Sequence, residues 1–158
     1  MAAYPTDTVS RLETNLDDCT AELLGAAMTR LFAAGALDVW HTAIQMKKSR
    51  PGVMLSILCE ESAIEVMADI IFAETTAFGL RVDKVMRLKL DREFRKVATA
   101  YGEVTIKLGL RDGKIIQHSP EYESCRAIAE AAGVPVRTVF AAASAASGTF
   151  TSGFRTGS

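Results

Sequence analysis

Along the first half of the chain, apolar residues recur either at every second position or at every third or fourth position. Apolar and polar residues alternate from Val9 to Leu16, which predicts a short strand. From Thr20 to Ala34 the apolar positions recur every three or four residues and Gly35 follows, as is typical of a helix that ends at a glycine. Further segments of the same two kinds are predicted as strands at 38–46, 53–59 and 80–88 and as a helix at 62–75. The first part of the chain therefore has the order βαββαβ.

Short polar motifs predict where two of these elements turn or begin. Pro51 and Gly52 predict the turn of a hairpin between the second and third strands. Ser62 and Glu65 have the spacing of a capping box, so we expect Ser62 to cap the second helix.

The second half of the chain predicts a smaller β unit followed by helices. Its strand patterns lie at 94–100 and 103–110, which we interpret as a hairpin. A helix is predicted to begin at Ser119-Pro120 and to end at Gly133, and an alanine-rich helix follows from Pro135 to about residue 146. We therefore predict a first domain at 9–92, an appendage of hairpin and helices at 93–146, and a disordered tail at 147–158.

The order βαββαβ also predicts a fold and places its loops. With right-handed crossovers it gives an α+β, ferredoxin-like fold whose antiparallel sheet has the strand order 4-1-3-2. In that topology the end of the first strand, the hairpin after the second strand and the end of the second helix all lie at one edge of the sheet. Three polar stretches of the sequence, distant from each other along the chain, should therefore meet.

These three stretches carry complementary charges. Asp17 and Asp18 follow the first strand, and the hairpin carries Lys47, Lys48 and Arg50. The end of the second helix contributes a third polar set, which is Glu74, Thr75, Thr76 and Arg81. Carboxylate oxygens suit hard divalent cations, and lysine and arginine suit phosphate oxygens. The sequence therefore predicts a metal-nucleotide or metal-phosphate site at this edge.

Simpler interpretations of the same residues remain open. Asp17, Asp18 and Thr20 are also suitable for the start of a helix, and the charges could form surface salt bridges worth about 0–1 kcal/mol each. Cys19 is either a soft metal ligand or a small buried thiol. The two histidines, His41 and His118, are far apart, and an isolated histidine is more often structural than a ligand.

Composition narrows the classes of function. The net charge of -1 gives no global field for nucleic acid or an anionic membrane, and no apolar run is long enough to span a bilayer. Three cysteines without C-x-x-C spacing indicate neither a disulfide framework nor a zinc ribbon, and we expect Cys59 in the core. We therefore expect a cytoplasmic protein without an export signal or membrane anchor.

Four motifs, in the same order, resemble the C-terminal domain of the LarC family. They are ETNLDD at 13–18, QMKKSRPG at 45–52, ETTAFGLR at 74–81 and PEYESC at 120–125. The resemblance extends from Val9 to about residue 143. It departs at Cys19, where the family usually has methionine, and at Ser124, where an acidic residue is usual.

The resemblance implies a particular chemistry. LarC proteins insert Ni(II) into pyridinium-3,5-bisthiocarboxylic acid mononucleotide, in a CTP-dependent reaction assisted by Mn2+ or Mg2+, to form the nickel-pincer nucleotide cofactor of lactate racemase. On that basis we expect Asp17, Asp18 and Glu13 to be catalytic and Asp17, Asp18 and Glu74 to bind metal. The expected nucleotide-binding residues are Lys47, Lys48, Arg50, Thr75, Thr76 and Arg81.

The resemblance also implies partners. The family's C-terminal domain forms homo-oligomers, and its members carry a larger N-terminal domain that is absent from this sequence, so the isolated domain could lack activity. Two alternatives remain open at this point. One is a module that binds a nucleotide without catalysis, and the other is an assembly domain whose exposed sheet face holds an oligomer together.

Overall fold

The structure, a computed structural model, describes residues 4–150. Its strands and α-helices are β1 (Thr6–Leu16), α1 (Ala21–Ala33), β2 (Asp38–Met46), β3 (Arg50–Cys59), α2 (Ile64–Glu74), β4 (Arg81–Leu88), β5 (Asp91–Thr99), β6 (Gly102–Arg111), β7 (Lys114–Pro120), α3 (Tyr122–Ala132) and α4 (Val136–Ser147). Of the tail predicted at 147–158, residues 151–158 lie outside the described part of the chain, and Ser147 belongs to α4. The chain divides into one compact unit at 6–87 and a second that contains residues 4, 5 and 88–150.

The first unit has the predicted ferredoxin-like topology. Its four-stranded sheet has the order β2-β3-β1-β4, and β3 pairs antiparallel with both β1 and β2. Helices α1 and α2 bury their apolar sides against this sheet, where Leu31 and Met67 join Leu12, Leu55 and Ile57 in one core. All five side chains have no exposed surface, so each contributes about 1.5–3 kcal/mol of hydrophobic stabilisation. The prediction of an α+β fold with an antiparallel sheet is confirmed.

The prediction of a turn at Pro51-Gly52 is wrong. Both residues lie inside β3, and the hairpin instead reverses through a 3-10 turn at Lys47–Ser49. A Cβ on Gly52 would lie 2.7 Å from the carbonyl oxygen of Leu16, so glycine is required here for the close approach of two strands. The turn itself places Lys48 and Ser49 at φ values of 59° and 55°, which side-chain-bearing residues rarely adopt.

Two predicted helix starts are also wrong. Ser62 lies within a 3-10 turn at Glu61–Ala63, so it cannot take the extended conformation of a cap, and Ala63 precedes α2 without a side-chain cap. Ser119 and Pro120 end β7, where Pro120 is paired with Ile106 at the end of the ladder. A proline is tolerated at a strand end because the missing N–H donor interrupts no further pairing.

The second unit is a three-stranded antiparallel sheet covered on one face by α3 and α4. Its order is β5-β6-β7, so the predicted hairpin is extended by a strand. Alternate residues of β6, namely Val104, Ile106 and Leu108, pack with Cys125 of α3 and Val139 of α4. Gly133 ends α3 in the left-handed conformation, as the sequence predicted.

Two sequence predictions, on the thiols and on membrane helices, can be compared with the structure. Cys59 is fully buried in the core of the first unit, as predicted, and all three cysteines are free thiols. Within residues 4–150 no helix has both the length and the apolar character needed to cross a membrane.

Candidate functional site

The corner between β1 and α1 presents two adjacent carboxylates. The hydroxyl of Thr20 caps α1 by accepting a hydrogen bond from the backbone N–H of Leu23 at 3.4 Å. Because Thr20 fills the capping position, Asp17 and Asp18 make their contacts with other elements. The helix-start interpretation therefore explains Thr20 but not the two aspartates.

Asp17 is joined to the hairpin between β2 and β3. The guanidinium of Arg50 donates a hydrogen bond to its carboxylate at 3.2 Å. The Asp17 side chain is only 19% exposed, whereas that of Arg50 is 58% exposed. The basic hairpin and the acidic corner therefore lie at the same edge of the sheet, as the topology predicted.

Asp18 is joined to the loop between α2 and β4. The hydroxyl of Thr76 donates a hydrogen bond to its carboxylate. A second contact holds this loop against the end of β1, because the buried hydroxyl of Thr14 donates to the carbonyl of Gly79 at 2.9 Å. All three predicted polar stretches therefore contribute to one site.

Glu13 of β1 lies beside the site and contacts Arg81 of β4, which lines it. The carboxylate of Glu13 accepts a hydrogen bond from the hydroxyl of Ser56 at 3.3 Å and lies 3.7 Å from the guanidinium of Arg81. Arg81 also donates to the side-chain carbonyl of Asn15 at 2.9 Å. Arg11 completes an ion pair with Glu13 at 3.4 Å, so this carboxylate is held between two cations.

These contacts surround an open cleft of about 520 Å³. Its lining combines acidic, basic, amide and hydroxyl groups with one aromatic ring, and consists of Thr14, Asn15, Leu16, Asp17, Asp18, Thr76, Phe78, Gly79, Leu80 and Arg81. We call it the corner cleft. Asn15 and Phe78 were not predicted as site residues. Asn15 could have been found from the alternation of β1, which puts it on the same strand face as Glu13, but no sequence signal marked Phe78.

Several predicted site residues do not line the corner cleft. Glu74 forms an ion pair with Arg30 of α1. The hydroxyl of Thr75 donates to the carbonyl of Ile71 at 2.7 Å and accepts from the N–H of Ala77 at 3.2 Å, so it ends α2. Lys47 and Lys48 are exposed on the hairpin turn, and Glu13 and Arg50 contact residues of the lining without belonging to it.

The donor set of the corner cleft is small for a metal site. Across residues 4–150 no three His, Cys, Asp or Glu side chains are grouped closely enough to hold a metal ion. Cys19 packs against the core of the first unit, and His118 makes an edge contact with Phe150. The acidic oxygens of the cleft lining are therefore those of Asp17 and Asp18, and a cation held there would complete its shell with neutral oxygens of the protein, a bound molecule or water.

The fold and this edge define an α+β, ferredoxin-like domain with an acidic and basic cleft at one sheet edge. The family profile described as nickel insertion protein matches residues 1–140, so the chain belongs to the nickel insertion protein family. The predicted resemblance to LarC is confirmed.

Relatives of known name support the same assignment. A putative nickel insertion protein of Myxococcus xanthus is 50% identical over 137 residues, which are 87% of this chain and 35% of that protein. The pyridinium-3,5-bisthiocarboxylic acid mononucleotide nickel insertion protein of Clostridium kluyveri is 44% identical over 129 residues, 82% of this chain and 32% of that protein. The chain thus spans about a third of the length of these relatives.

Solved structures identify which third it is. The apo C-terminal domain of a cyclometallase involved in synthesis of the NPN cofactor of lactate racemase matches with a TM-score of 0.82 and 39% identity, covering 90% of this chain and 98% of that domain. A protein of Methanopyrus kandleri matches with a TM-score of 0.59 and 28% identity, covering 91% of each chain. The chain therefore corresponds to the C-terminal domain of the family.

Proposed function

We propose that this chain is the CTP-binding domain of a nickel insertase that converts pyridinium-3,5-bisthiocarboxylic acid mononucleotide into the nickel-pincer cofactor. In this proposal the corner cleft binds CTP together with Mn2+ or Mg2+, and Ni(II) is the substrate metal. The proposal is supported by family membership and by the names of the relatives. One observation carries the site assignment, namely the 3.2 Å ion pair that brings Arg50 to Asp17.

The hairpin would hold the triphosphate. Lys47, Lys48 and Arg50 offer three cationic groups within four consecutive residues, and arginine can bind phosphate oxygens through two parallel hydrogen bonds. The left-handed conformation of Lys48 costs about 1–2 kcal/mol, which is typical of backbone strain kept at functional sites. Thr75, Thr76 and Arg81 would supply further hydrogen bonds, although Thr75 would first have to give up its bonds within the loop.

The carboxylates would hold the assisting cation. Mg2+ in nucleotide sites usually takes one or two carboxylates and completes its shell with phosphate oxygens and water. Asp17 and Asp18 fit that pattern because they supply two acidic side chains beside a proposed phosphate site. Bound there, the cation would neutralise phosphate charge. The proposal leaves Glu74 in its ion pair with Arg30 rather than on the metal.

A carboxylate of the corner would also act as the base. Formation of a nickel–carbon bond needs loss of a ring proton, so the electron pair of the C–H bond passes into the new bond and the proton passes to a carboxylate. We assign this proton to Asp17 or Asp18. Glu13, held between Arg11 and Arg81, would fix the charge beside the site.

The domain would act as part of a larger assembly. Because it spans about a third of its relatives, we propose that an N-terminal domain provides the rest of the catalytic unit and that the C-terminal domains form a homo-oligomer. The three free thiols are consistent with a reducing cytoplasm.

A second candidate function is nucleotide binding without catalysis, which is favoured because the chain spans only about a third of its relatives. A domain of this length could bind the nucleotide and transmit its presence to a partner without taking part in catalysis. Nickel insertion should be assayed with the chain joined to a family N-terminal domain, using the wild type, Asp17→Asn and Asp18→Asn. Loss of insertion with retained CTP binding supports a catalytic role for the aspartates. Full insertion in both variants supports the alternative, in which the domain binds the nucleotide without taking part in catalysis.

A further inference from the structure

A second cleft lies wholly within the second unit and shares no residue with the corner cleft. Its volume is about 320 Å³, and its lining is Leu88, Lys89, Leu90, Arg92, Lys107, Leu108, Gly109, Gln117, His118 and Ser119. This volume is at the lower end of the roughly 300–1,000 Å³ of small-molecule sites. We call it the sheet cleft.

The strand register places four polar side chains of the cleft on one face of the sheet. Arg92, Gly109 and Gln117 are directly paired across β5, β6 and β7, and Lys107 and Ser119 are paired in the next row on the same face, two residues along β6. Paired residues share a face, and diagonal neighbours are separated by about 7–8 Å. The long side chains of Arg92 and Lys107 can therefore reach one common anion. This face is opposite to the one on which Leu108 joins the core, because successive residues of a strand alternate.

Gly109 leaves a gap among these polar side chains. With no side chain at that position, the connection that follows β4 can approach the sheet, and an added Cβ would lie 2.7 Å from Cδ1 of Leu90. Leu90 and the exposed Leu88 therefore form an apolar wall beside the cationic groups. The cleft combines a charged end with an apolar side.

Its cationic groups have capacity for a ligand. Arg92 is exposed and makes no ion pair with any residue in the described range 4–150. Lys107 lies 3.1 Å from Glu121, a contact that occupies one of the three ammonium donors. Other basic residues of β5 are already matched, since Arg95 pairs with Glu93 and Lys96 pairs with Glu103, each at 2.8 Å.

We propose that the sheet cleft binds a phosphomonoester carried on a flat ring. The guanidinium of Arg92 binds phosphate oxygens through paired hydrogen bonds, and the ammonium of Lys107 binds them as a point charge. Gln117 donates a further hydrogen bond, and Ser119 does so once it gives up its 3.4 Å bond to the carbonyl of Pro120. The ring packs against Leu88 and Leu90. The proposal does not depend on the function assigned to the corner cleft. With the sheet cleft added to the corner cleft, the domain has two separate proposed anion sites.

The test is a calorimetric titration of the 158-residue chain with AMP, ribose 5-phosphate, adenosine and inorganic phosphate. AMP should bind more tightly than the other three, because only AMP has both the phosphate and the ring. Arg92→Gln and Lys107→Gln should each weaken AMP binding about fivefold to tenfold, as expected for loss of a charged hydrogen bond. Thermal unfolding followed by circular dichroism checks that each variant is folded.

Three control variants distinguish binding in the sheet cleft from a general effect of positive charge and from binding in the corner cleft. Arg95→Gln and Lys96→Gln remove the same charges from the same strand outside the cleft, and both should leave AMP binding unchanged. Arg50→Gln removes a charge beside the corner cleft, so it reports any AMP that binds there instead. The proposal is overturned if AMP does not bind, if the β5 controls weaken it equally, or if only Arg50→Gln weakens it. Equal affinity for inorganic phosphate overturns the assignment of a ring.

Discussion

Arg50 and Asp17, which are separated by 33 positions in the sequence, form a 3.2 Å ion pair between the hairpin and the β1–α1 corner. The pair has two consequences. It places the proposed phosphate ligand, Arg50, beside the proposed metal ligand, Asp17, and under this proposal each group exchanges its partner when a ligand binds. Because Arg50 is largely exposed, the pair itself should contribute little to stability, about 0–1 kcal/mol.

Replacing Lys48 with glycine should weaken CTP binding while it increases the stability of the fold. Glycine adopts the φ of 59° without strain, so Lys48→Gly should stabilise the fold by about 1 kcal/mol while it removes a proposed phosphate ligand. We expect a higher melting temperature and about fivefold to tenfold weaker CTP binding. Ser49→Gly is the matched control, because it relieves a φ of 55° with all charges retained. If Ser49→Gly weakens CTP binding as much as Lys48→Gly does, the lysine charge is not the cause.

Replacing Gly52 with alanine should destabilise the first unit. The new Cβ would lie 2.7 Å from a backbone oxygen of β1, which cannot move as a side chain can. We expect a loss of about 1–3 kcal/mol in the free energy of unfolding, measured by urea denaturation. Gly79→Ala is the control, because nothing lies within 4 Å of its added Cβ. Equal stabilities of the two variants would show that β1 and β3 do not approach each other so closely.

The thiols should differ in reactivity towards alkylating reagents. Burial raises the pKa of Cys59, with a further increase from the nearby charge of Glu60, and burial alone raises the pKa of Cys125. A raised pKa lowers the thiolate fraction at a mildly alkaline pH, and both thiols are inaccessible. Mass spectrometry after iodoacetamide treatment of the native protein should therefore find modification at the partly exposed Cys19 only. Labelling of Cys59 or Cys125 at the rate of Cys19 would contradict the burial of these two thiols.

Topology could be predicted from the sequence because it follows from periodicity and handedness alone. The period of two in β1 and the period near four in α1 are set by the core residues, and right-handed crossovers then fix the strand order. The meeting of the hairpin, the corner and the α2–β4 loop follows from that order. It needed no knowledge of any side-chain contact.

Local motifs failed where tertiary contacts determined the conformation. Gly52 was interpreted as a turn residue, but it is required because Leu16 passes close to it. Glu74 was predicted to reach the site, yet Arg30, which is 44 positions away in the sequence, holds its carboxylate. The sequence around Gly52 does not indicate that Leu16 lies close to it, and the sequence around Glu74 does not indicate that Arg30 pairs with it. Phe78 was missed for a similar reason, because a fully exposed ring gives no periodic pattern.

The hairpin and the acidic corner should act as one site, in which cations of the protein hold phosphate and carboxylates hold metal. Calorimetric titration of CTP with and without Mn2+ tests this most directly, in the wild type, in Arg50→Gln and in Asp17→Asn/Asp18→Asn. We predict that Mn2+ tightens binding to the wild type, that Arg50→Gln weakens binding about tenfold in both conditions, and that the double aspartate variant loses the effect of Mn2+ while it retains metal-free binding. An undiminished effect of Mn2+ in the double variant, with unchanged affinity in Arg50→Gln, would contradict a shared site.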